Sequence, residues 1–195
     1  KWSNQNVTWD GLKMSEAERF AKANEILDSL GWKKGADGIR VTDTGDKLEF
    51  SLKCRNDPTF VRTGEMVLNN WEKIGIKVTL EVHEPRTVYP GIVYNGKDTK
   101  DWQFFIHRSV MKSDPDNFAQ EYAPDSKSFW LNGNAFGWVH PEAQKLLRAS
   151  RGEMDEAKRI EMIMQVQELF ADDLAVLSMA HKESGFAYRN DRYVN

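Results

Sequence analysis

The residues with the clearest potential for chemistry follow a short apolar run, Phe104 to Ile106. That run ends in a polar loop that contains Arg108 and, further on, Asp-Pro-Asp-Asn at positions 114–117. Because ligands of open α/β sheets bind beside the ends of strands, this pattern predicts one wall of a binding cleft. The planar guanidinium of Arg108 suits a carboxylate or a phosphate, although a salt bridge at the surface would explain an arginine here equally well.

Two acidic residues in this loop, Asp114 and Asp116, admit two interpretations. Carboxyl groups roughly 5 to 9.5 Å apart perform acid–base catalysis in glycoside hydrolases. Because both residues flank Pro115, an Asx turn that caps a following helix is the commoner role. The sequence therefore favours a structural role for the pair and leaves catalysis open.

Large aromatic residues occur in a segment without periodicity, from Ser126 to Trp138. Trp130, Phe136 and Trp138 could stack on a ligand, because aromatic rings offer a large contact area with few rotatable bonds. Rings of this size more often attach a long loop to a hydrophobic core. Both roles are open for Trp130 and Trp138.

The remaining residue types that carry chemistry are scattered along the chain. The four histidines, at positions 83, 107, 140 and 181, include no i, i+4 pair of the kind that binds zinc on a helix. The single cysteine, Cys54, excludes an intramolecular disulfide and alternates with apolar residues, which is typical of a buried side chain. The sequence has no Gly-x-Ser-x-Gly motif and no phosphate-binding loop. We therefore expect no metal site, no cofactor and no enzymatic activity.

Composition and length restrict the classes of protein to consider. The 195 residues include 27 basic and 30 acidic side chains without a block of like charge, unlike the basic surface of a nucleic-acid-binding protein. No apolar run approaches the ~20 residues that span a bilayer. The first residues lack the apolar core of a signal peptide, so we expect the chain to begin within a longer protein rather than to be cytosolic. Length favours one domain over residues 1–195, or at most two small ones.

The elements that must position the polar loop alternate between strands and helices. Residues 47–55 alternate apolar and polar side chains, which predicts a half-buried strand. Asp57 is suited to cap a helix over residues 58–73, and a second alternating strand follows at residues 76–82. These three elements predict a crossover between parallel strands. A third strand at residues 102–106 leads into the loop.

Further helices are expected to cover the sheet. Ser15 and Glu18 form a capping box, and Gly31 suits the C′ position of the helix that they begin. His140 and Asp155 each precede an amphipathic segment. The other predicted elements are a short helix at residues 85–95, a helical turn at 118–122 and closing strands at 174–180 and 184–188. The set predicts an α/β fold with a mixed sheet flanked by helices.

Several stretches resemble one family in the same order along the chain. The helix that ends in Gly31-Trp32, the segment from Trp71 to Val78, and Asp-Pro-Asp-Asn-Phe at residues 114–118 are similar to motifs of that family. His140-Pro141-Glu142 and the run from Asp155 to Arg189 complete the pattern. The chain thus resembles the extracellular solute-binding proteins of ABC importers of the peptide and nickel type, solute-binding family 5.

The resemblance implies one lobe of a type II periplasmic-binding-protein-like fold. In that family two α/β lobes close on a solute and deliver it to a membrane permease, and residues 1–195 resemble most of the C-terminal lobe. The expected partners are therefore a small solute or peptide, an ABC transporter permease and the N-terminal lobe of the same parent chain. The expected location is periplasmic or extracellular, at the cell envelope.

The resemblance also indicates which side chains meet the solute. Met111 corresponds to the aspartate that holds the amino terminus of a bound peptide, and Arg108 stands where many members have a tryptophan. Because a methionine cannot neutralise an ammonium group, a modified peptide, a sugar or an anionic solute is a possible cargo beside an oligopeptide. The expected ligand-binding residues are Arg108, Ser109, Met111, Asp114, Asp116, Asn117, Trp130 and Trp138.

Two other functions are open from the sequence. A cytoplasmic transcription regulator can carry a solute-sensing domain of this kind, and it would have a DNA-binding region in place of a secretion signal. A carboxylate-dependent hydrolase would use Asp114 and Asp116, and it would lose turnover when either residue is changed to asparagine.

Overall fold

The computed structural model describes residues 4–86, 88, 90–93, 102–108, 114, 137–174, 176, 177 and 179. Within these ranges helices and strands alternate as the sequence predicts, and the fold is α/β. The elements are α1 (Glu16–Ser29), β1 (Lys33–Lys34), β2 (Arg40–Val41), β3 (Glu49–Arg55), α2 (Pro58–Lys73), β4 (Lys77–His83), β5 (Phe104–Phe105), α3 (Pro141–Gly152) and α4 (Glu156–Asp173). None of the helices in the described part is both long enough and apolar enough to cross a membrane.

The central sheet has the strand order β4-β3-β5, and β3 pairs in parallel with both neighbours. The register aligns Arg55 with His83 at one end of the β3–β4 pair, and it aligns Leu52 with Phe104 across the β3–β5 pair. The predicted crossover from β3 through α2 to β4 is therefore confirmed. A separate antiparallel pair, β1 with β2, lies between α1 and β3.

One hydrophobic core lies between the sheet and α2. Apolar side chains alternate along β3, so Leu52 and Cys54 face the helix while their neighbours face the other side of the sheet. Burial raises the pKa of the Cys54 thiol, which agrees with the predicted role as a small buried hydrophobe. The helix begins as predicted, because the Asp57 side chain accepts a hydrogen bond from the Thr59 amide. The buried residues of this core are Leu52, Cys54, Phe60, Val78 and Ile106.

A second core lies between α3 and α4. Its buried residues are Trp138, Ala143, Leu147, Ile163 and Val166. Both helices begin where the sequence predicts and are capped, since His140 Nδ1 accepts from the Ala143 amide and the Asp155 side chain accepts from two amides of the first turn of α4. The strand predicted at residues 174–180 is not seen in its described residues, because Leu174 is the left-handed cap of α4 and irregular backbone follows. The strand predicted at 184–188 and the turn at 118–122 lie outside the described residues.

The N-terminal segment binds the second core through Asn4. The Asn4 amide donates to Gln167 Oε1 at 2.9 Å, and its side-chain nitrogen donates to Met164 O at 3.0 Å and to Glu168 Oε1 at 2.8 Å. This segment leads to α1, which has the predicted capping box between Ser15 and Glu18. The segment therefore connects α4 to the helix that precedes the sheet.

Candidate functional site

The carboxyl ends of the three parallel strands lie at one edge of the sheet. β3 ends at Arg55 and β4 ends at its register partner His83. β5 is followed by Ile106, whose amide donates to Lys53 O at 2.9 Å and so extends the pairing towards His107 and Arg108. Because α2 begins at Pro58, three residues after β3, the N-terminal end of this helix lies at the same edge. Ligands of open α/β sheets bind at this position, which we call the carboxyl edge.

Arg55 is held in place at the carboxyl edge by an aromatic ring. Its guanidinium carbon lies 4.0 Å from the centroid of the Phe60 ring, within the range of a cation–π interaction. Its Nε atom is buried and has no hydrogen-bond partner among the residues that the structure describes. A guanidinium that is held in one orientation can bind a carboxylate or another oxygen acceptor.

His107 is a neutral imidazole beside this cation. The side chain is half-buried, and its ring makes an edge contact with Phe105 at a centroid distance of 6.3 Å. Burial and the nearby charge of Arg55 lower the pKa of His107 to about 4. Near neutral pH the ring therefore carries no charge and presents one hydrogen-bond donor and one acceptor.

Lys53 is buried on the polar face of β3, where the sequence predicted exposure. It is 8% exposed, and its Nζ atom lies 2.5 Å from Glu81 Oε2. The same carboxylate oxygen lies 3.5 Å from His83 Nε2, and the hydrogen bond from Lys53 lowers the pKa of Glu81. Glu81 therefore balances the charge of Lys53. Arg55 and Arg108 bring two guanidinium groups to the carboxyl edge, where the carboxylates of Asp57 and Glu84 also lie close in sequence to the ends of β3 and β4.

The structure describes three of the eight predicted ligand-binding residues. Arg108 is exposed and follows β5 at the carboxyl edge. Asp114 forms a two-fold ion pair with Arg159 of α4, with Nη2 to Oδ1 at 2.9 Å and Nη1 to Oδ2 at 3.3 Å. Both carboxylate oxygens of Asp114 therefore face a guanidinium, and the predicted Asx turn involves residues outside the described ranges. Ser109, Met111, Asp116, Asn117 and Trp130 lie outside the described residues.

Trp138 lies in the core between α3 and α4. It is 6% exposed, its ring meets that of Phe170 at 5.0 Å, and its indole nitrogen donates to Asp173 Oδ2 at 2.7 Å. This is the packing role that the sequence left open for the residue. Among the described residues, no group of histidine, cysteine, aspartate and glutamate side chains is arranged to hold a metal ion.

The sequence did not single out Arg55, His83 or His107 as site residues. Their positions in the strand pattern were the available signal. Arg55 is the last residue of an alternating strand and lies two residues before the cap of α2. His83 is the last residue of β4, and His107 lies two residues after the end of β5. Residues that end parallel strands share one edge of the sheet, so the strand pattern alone could have placed the three together.

The sequence matches a described protein family. Residues 3–130 match bacterial extracellular solute-binding proteins, family 5 Middle. The chain is 26% identical over 163 residues to the di/tripeptide-binding protein 1 of Pseudomonas aeruginosa, a match that covers 83% of this chain and 28% of that protein. It is also 26% identical over 165 residues to the oligopeptide-binding protein OppA of Bacillus subtilis, a match that covers 82% of this chain and 28% of that protein. The chain therefore spans about 28% of the length of these curated relatives.

Solved structures confirm the fold class. The oligopeptide-binding protein of Thermus thermophilus, complexed with a pentapeptide, matches with a TM-score of 0.71 and 21% identity over 89% of this chain and 30% of that chain. An oligopeptide-binding protein of Thermotoga maritima with bound mannohexaose matches with a TM-score of 0.68 and 22% identity, over 80% of this chain and 29% of that chain. NikZ of Campylobacter jejuni, in complex with Ni(L-His), matches with a TM-score of 0.66 and 19% identity, over 80% of this chain and 30% of that chain. The chain thus has part of a periplasmic-binding-protein fold.

Proposed function

This chain belongs to the bacterial extracellular solute-binding proteins of family 5, and we propose that it forms one lobe of a receptor that captures a small solute at the carboxyl edge of its sheet. The lobe corresponds to most of the C-terminal lobe, and the partner lobe of the parent chain closes the cleft from the other side. The receptor delivers the solute to an ABC transporter permease from the periplasm or the extracellular face of the membrane. It binds reversibly and catalyses no reaction.

The observation that carries this proposal is the presence of two guanidinium groups and an imidazole at the carboxyl edge. Arg55 is fixed by Phe60 and has a buried Nε donor without a partner in the described part of the chain. Arg108 supplies a second guanidinium, and the neutral imidazole of His107 directly precedes it in the chain. Such a set suits a solute that presents a carboxylate or another group rich in oxygen acceptors.

The class of solute is a small peptide or a related compound with an acceptor group. Relatives and structural neighbours include proteins named for di- and tripeptides and complexes with mannohexaose and Ni(L-His), so family membership leaves the cargo open. Met111 replaces the aspartate that the resemblance assigns to the peptide amino terminus. We therefore expect the solute to be held through its acceptor groups, with little dependence on a free amino group. Ser109, Asp116, Asn117 and Trp130 complete the proposed binding set.

Native mass spectrometry of the full-length gene product, purified from its own host, tests this function. We expect one small molecule per protein chain that is released on denaturation. Trialanine and N-acetyl-trialanine, added to the emptied protein, should raise its melting temperature to a similar extent if peptides are the cargo. A preparation that carries no solute, and whose melting temperature no peptide, oligosaccharide or organic anion raises, would overturn the proposal.

A further inference from the structure

A glycine lies where α2 packs against Leu80 of β4. Gly64 is buried on α2, and a Cβ atom added to it would lie 2.5 Å from Leu80 Cδ1 and 3.1 Å from Leu80 Cδ2. Non-bonded carbon atoms pack at about 3.5 to 4.0 Å, so a methyl group here would move the helix or Leu80 by roughly 1 Å. Leu80 packs against the core between the sheet and α2, and close packing limits how far its side chain can yield.

Phe60 shares the buried face of α2 with Gly64. The two residues are four apart, which is about one helical turn, and both are buried on this helix. Phe60 belongs to the same core as Leu52 and Cys54 of β3. Because a hydrogen-bonded helix moves as a stiff element, the depth at which Gly64 lies against β4 also sets the depth of Phe60 against the sheet.

The position of Phe60 in turn affects Arg55. α2 begins at Pro58, three residues after β3 ends at Arg55, so the two elements are joined by a short connection. The guanidinium carbon of Arg55 lies 4.0 Å from the centroid of the Phe60 ring. Cation–π attraction extends to about 6 Å, so a displacement of the first turn by roughly 1 to 2 Å weakens the contact.

We propose that Gly64 is a positioning residue for the solute site: the absence of a side chain lets α2 lie close to β4, and this close approach keeps the Phe60 ring against the guanidinium of Arg55. Gly64 acts through Phe60 and touches no solute. The inference rests on the proposed function for its effect on binding, but the effect on Arg55 can be measured without a solute.

NMR of arginine side chains in the full-length gene product tests the position of Arg55. The ring current of Phe60 shifts the Arg55 proton signals, which are assigned by their absence from the Arg55→Lys variant. Phe60→Leu removes this shift and so defines its full size. Gly64→Ala should lose about half of the shift or more, because the two groups move apart. Gly152→Ala is the matched control and should keep the wild-type shift, since nothing lies within 4 Å of its added Cβ.

A shortened partner side chain separates positioning from a general loss of structure. Leu80→Val removes both Cδ atoms that the added methyl group would meet. Gly64→Ala combined with Leu80→Val should therefore regain most of the Arg55 shift, and circular dichroism shows whether each variant is folded. A wild-type shift in folded Gly64→Ala would overturn the proposal, and so would a folded double variant whose shift stays at the Phe60→Leu value.

A binding measurement connects Gly64 to the solute site. With trialanine as the probe, calorimetry should give a dissociation constant about threefold to tenfold weaker for Gly64→Ala than for Gly152→Ala. In the Phe60→Leu background, Gly64→Ala should weaken binding no further, because the contact that it disturbs is already absent.

The two measurements fail separately. A changed Arg55 shift with equal affinity of Gly64→Ala and Gly152→Ala would overturn the link between Gly64 and the solute site. If the wild-type protein binds neither trialanine nor any other solute, the proposed function fails, while the shift still decides whether Gly64 positions Arg55.

Discussion

Arg40 connects three elements through one buried guanidinium. The residue is 1% exposed, its Nε donates to Ile74 O at 2.7 Å, and its Nη2 donates to Asn24 Oδ1 at 2.7 Å. Nη1 donates to Asp28 Oδ1 at 2.8 Å and to the carbonyl oxygen of Trp32. A buried guanidinium is stable only when its donors are paired, so these contacts hold α1, β2 and the turn after α2 in one arrangement.

We expect Arg40→Met to lower the free energy of unfolding by about 3 kcal/mol, because buried carbonyl groups lose their donor. Urea unfolding followed by circular dichroism measures the change. The matched control is Lys47→Met, which removes an ion pair between Lys47 and Asp37. Because these two side chains are 52% and 42% exposed, the substitution should change the free energy of unfolding by about 0.5 kcal/mol or less. Equal effects of the two changes would contradict the account of Arg40.

His107 makes stability depend on pH. Its pKa is about 4 in the folded protein against an ordinary value of 6.5, so between these pH values the unfolded chain binds a proton that the folded chain excludes. Stability should therefore rise from pH 4 to pH 6.5, by up to about 3 kcal/mol, and His107 should contribute no further change above that range.

Substitution isolates this effect from the carboxylates that titrate at lower pH. The difference in urea midpoint between pH 4.5 and pH 7 should be smaller for His107→Phe than for the wild type. A difference of the same size in both proteins would show that His107 is not the group responsible.

At the level of elements, α2 packs unusually closely on β4. Gly64 is buried on α2, and a Cβ atom at this position would lie 2.5 Å from Leu80 Cδ1. Gly64→Ala gains about 1 kcal/mol in helix propensity, but we expect overpacking to outweigh it and to give a net loss of about 1 kcal/mol. Thermal or urea unfolding of Gly64→Ala and the wild type shows whether the substitution lowers or raises the free energy of unfolding.

Gly152→Ala is the control for this prediction, because nothing lies within 4 Å of an added Cβ at the end of α3. It should be neutral or stabilising. Adding Leu80→Val to Gly64→Ala should recover part of the loss by making room for the methyl group. If Gly64→Ala is as stabilising as Gly152→Ala, the close packing of α2 on β4 is not a constraint.

Elements with a local signal were predictable from the sequence. The alternation in β3 and the Asp57 cap of α2 depend on neighbouring residues, and the structure has both. The burial of Arg40 and Lys53 was not predictable, because their partners Ile74 and Glu81 are 34 and 28 residues away. The strand ends that form the carboxyl edge could be placed from the strand pattern. The contact between Arg55 and Phe60 could not, although the two residues are close in sequence, because it depends on how the end of β3 is oriented against the first turn of α2.

At the scale of the whole molecule, the proposed function makes the described chain one wall of a cleft. It spans about 28% of the length of its curated relatives, and the carboxyl edge is open to a partner lobe in the proposed arrangement. We therefore expect the isolated 195-residue chain to bind solutes with dissociation constants weaker than about 1 µM, because half of the contacts are missing. Calorimetry with the isolated chain and the full-length gene product compares the two affinities, and equally tight binding would contradict a two-lobe site.

The central claim is that the guanidinium groups at the carboxyl edge bind the solute. The most direct test is calorimetry on the full-length gene product with the compound that native mass spectrometry identifies. Arg55→Gln and Arg108→Gln should each weaken binding about tenfold or more, while Lys47→Gln, remote from this edge, should leave the affinity unchanged. Affinity that survives both arginine substitutions would place the solute elsewhere and contradict the account.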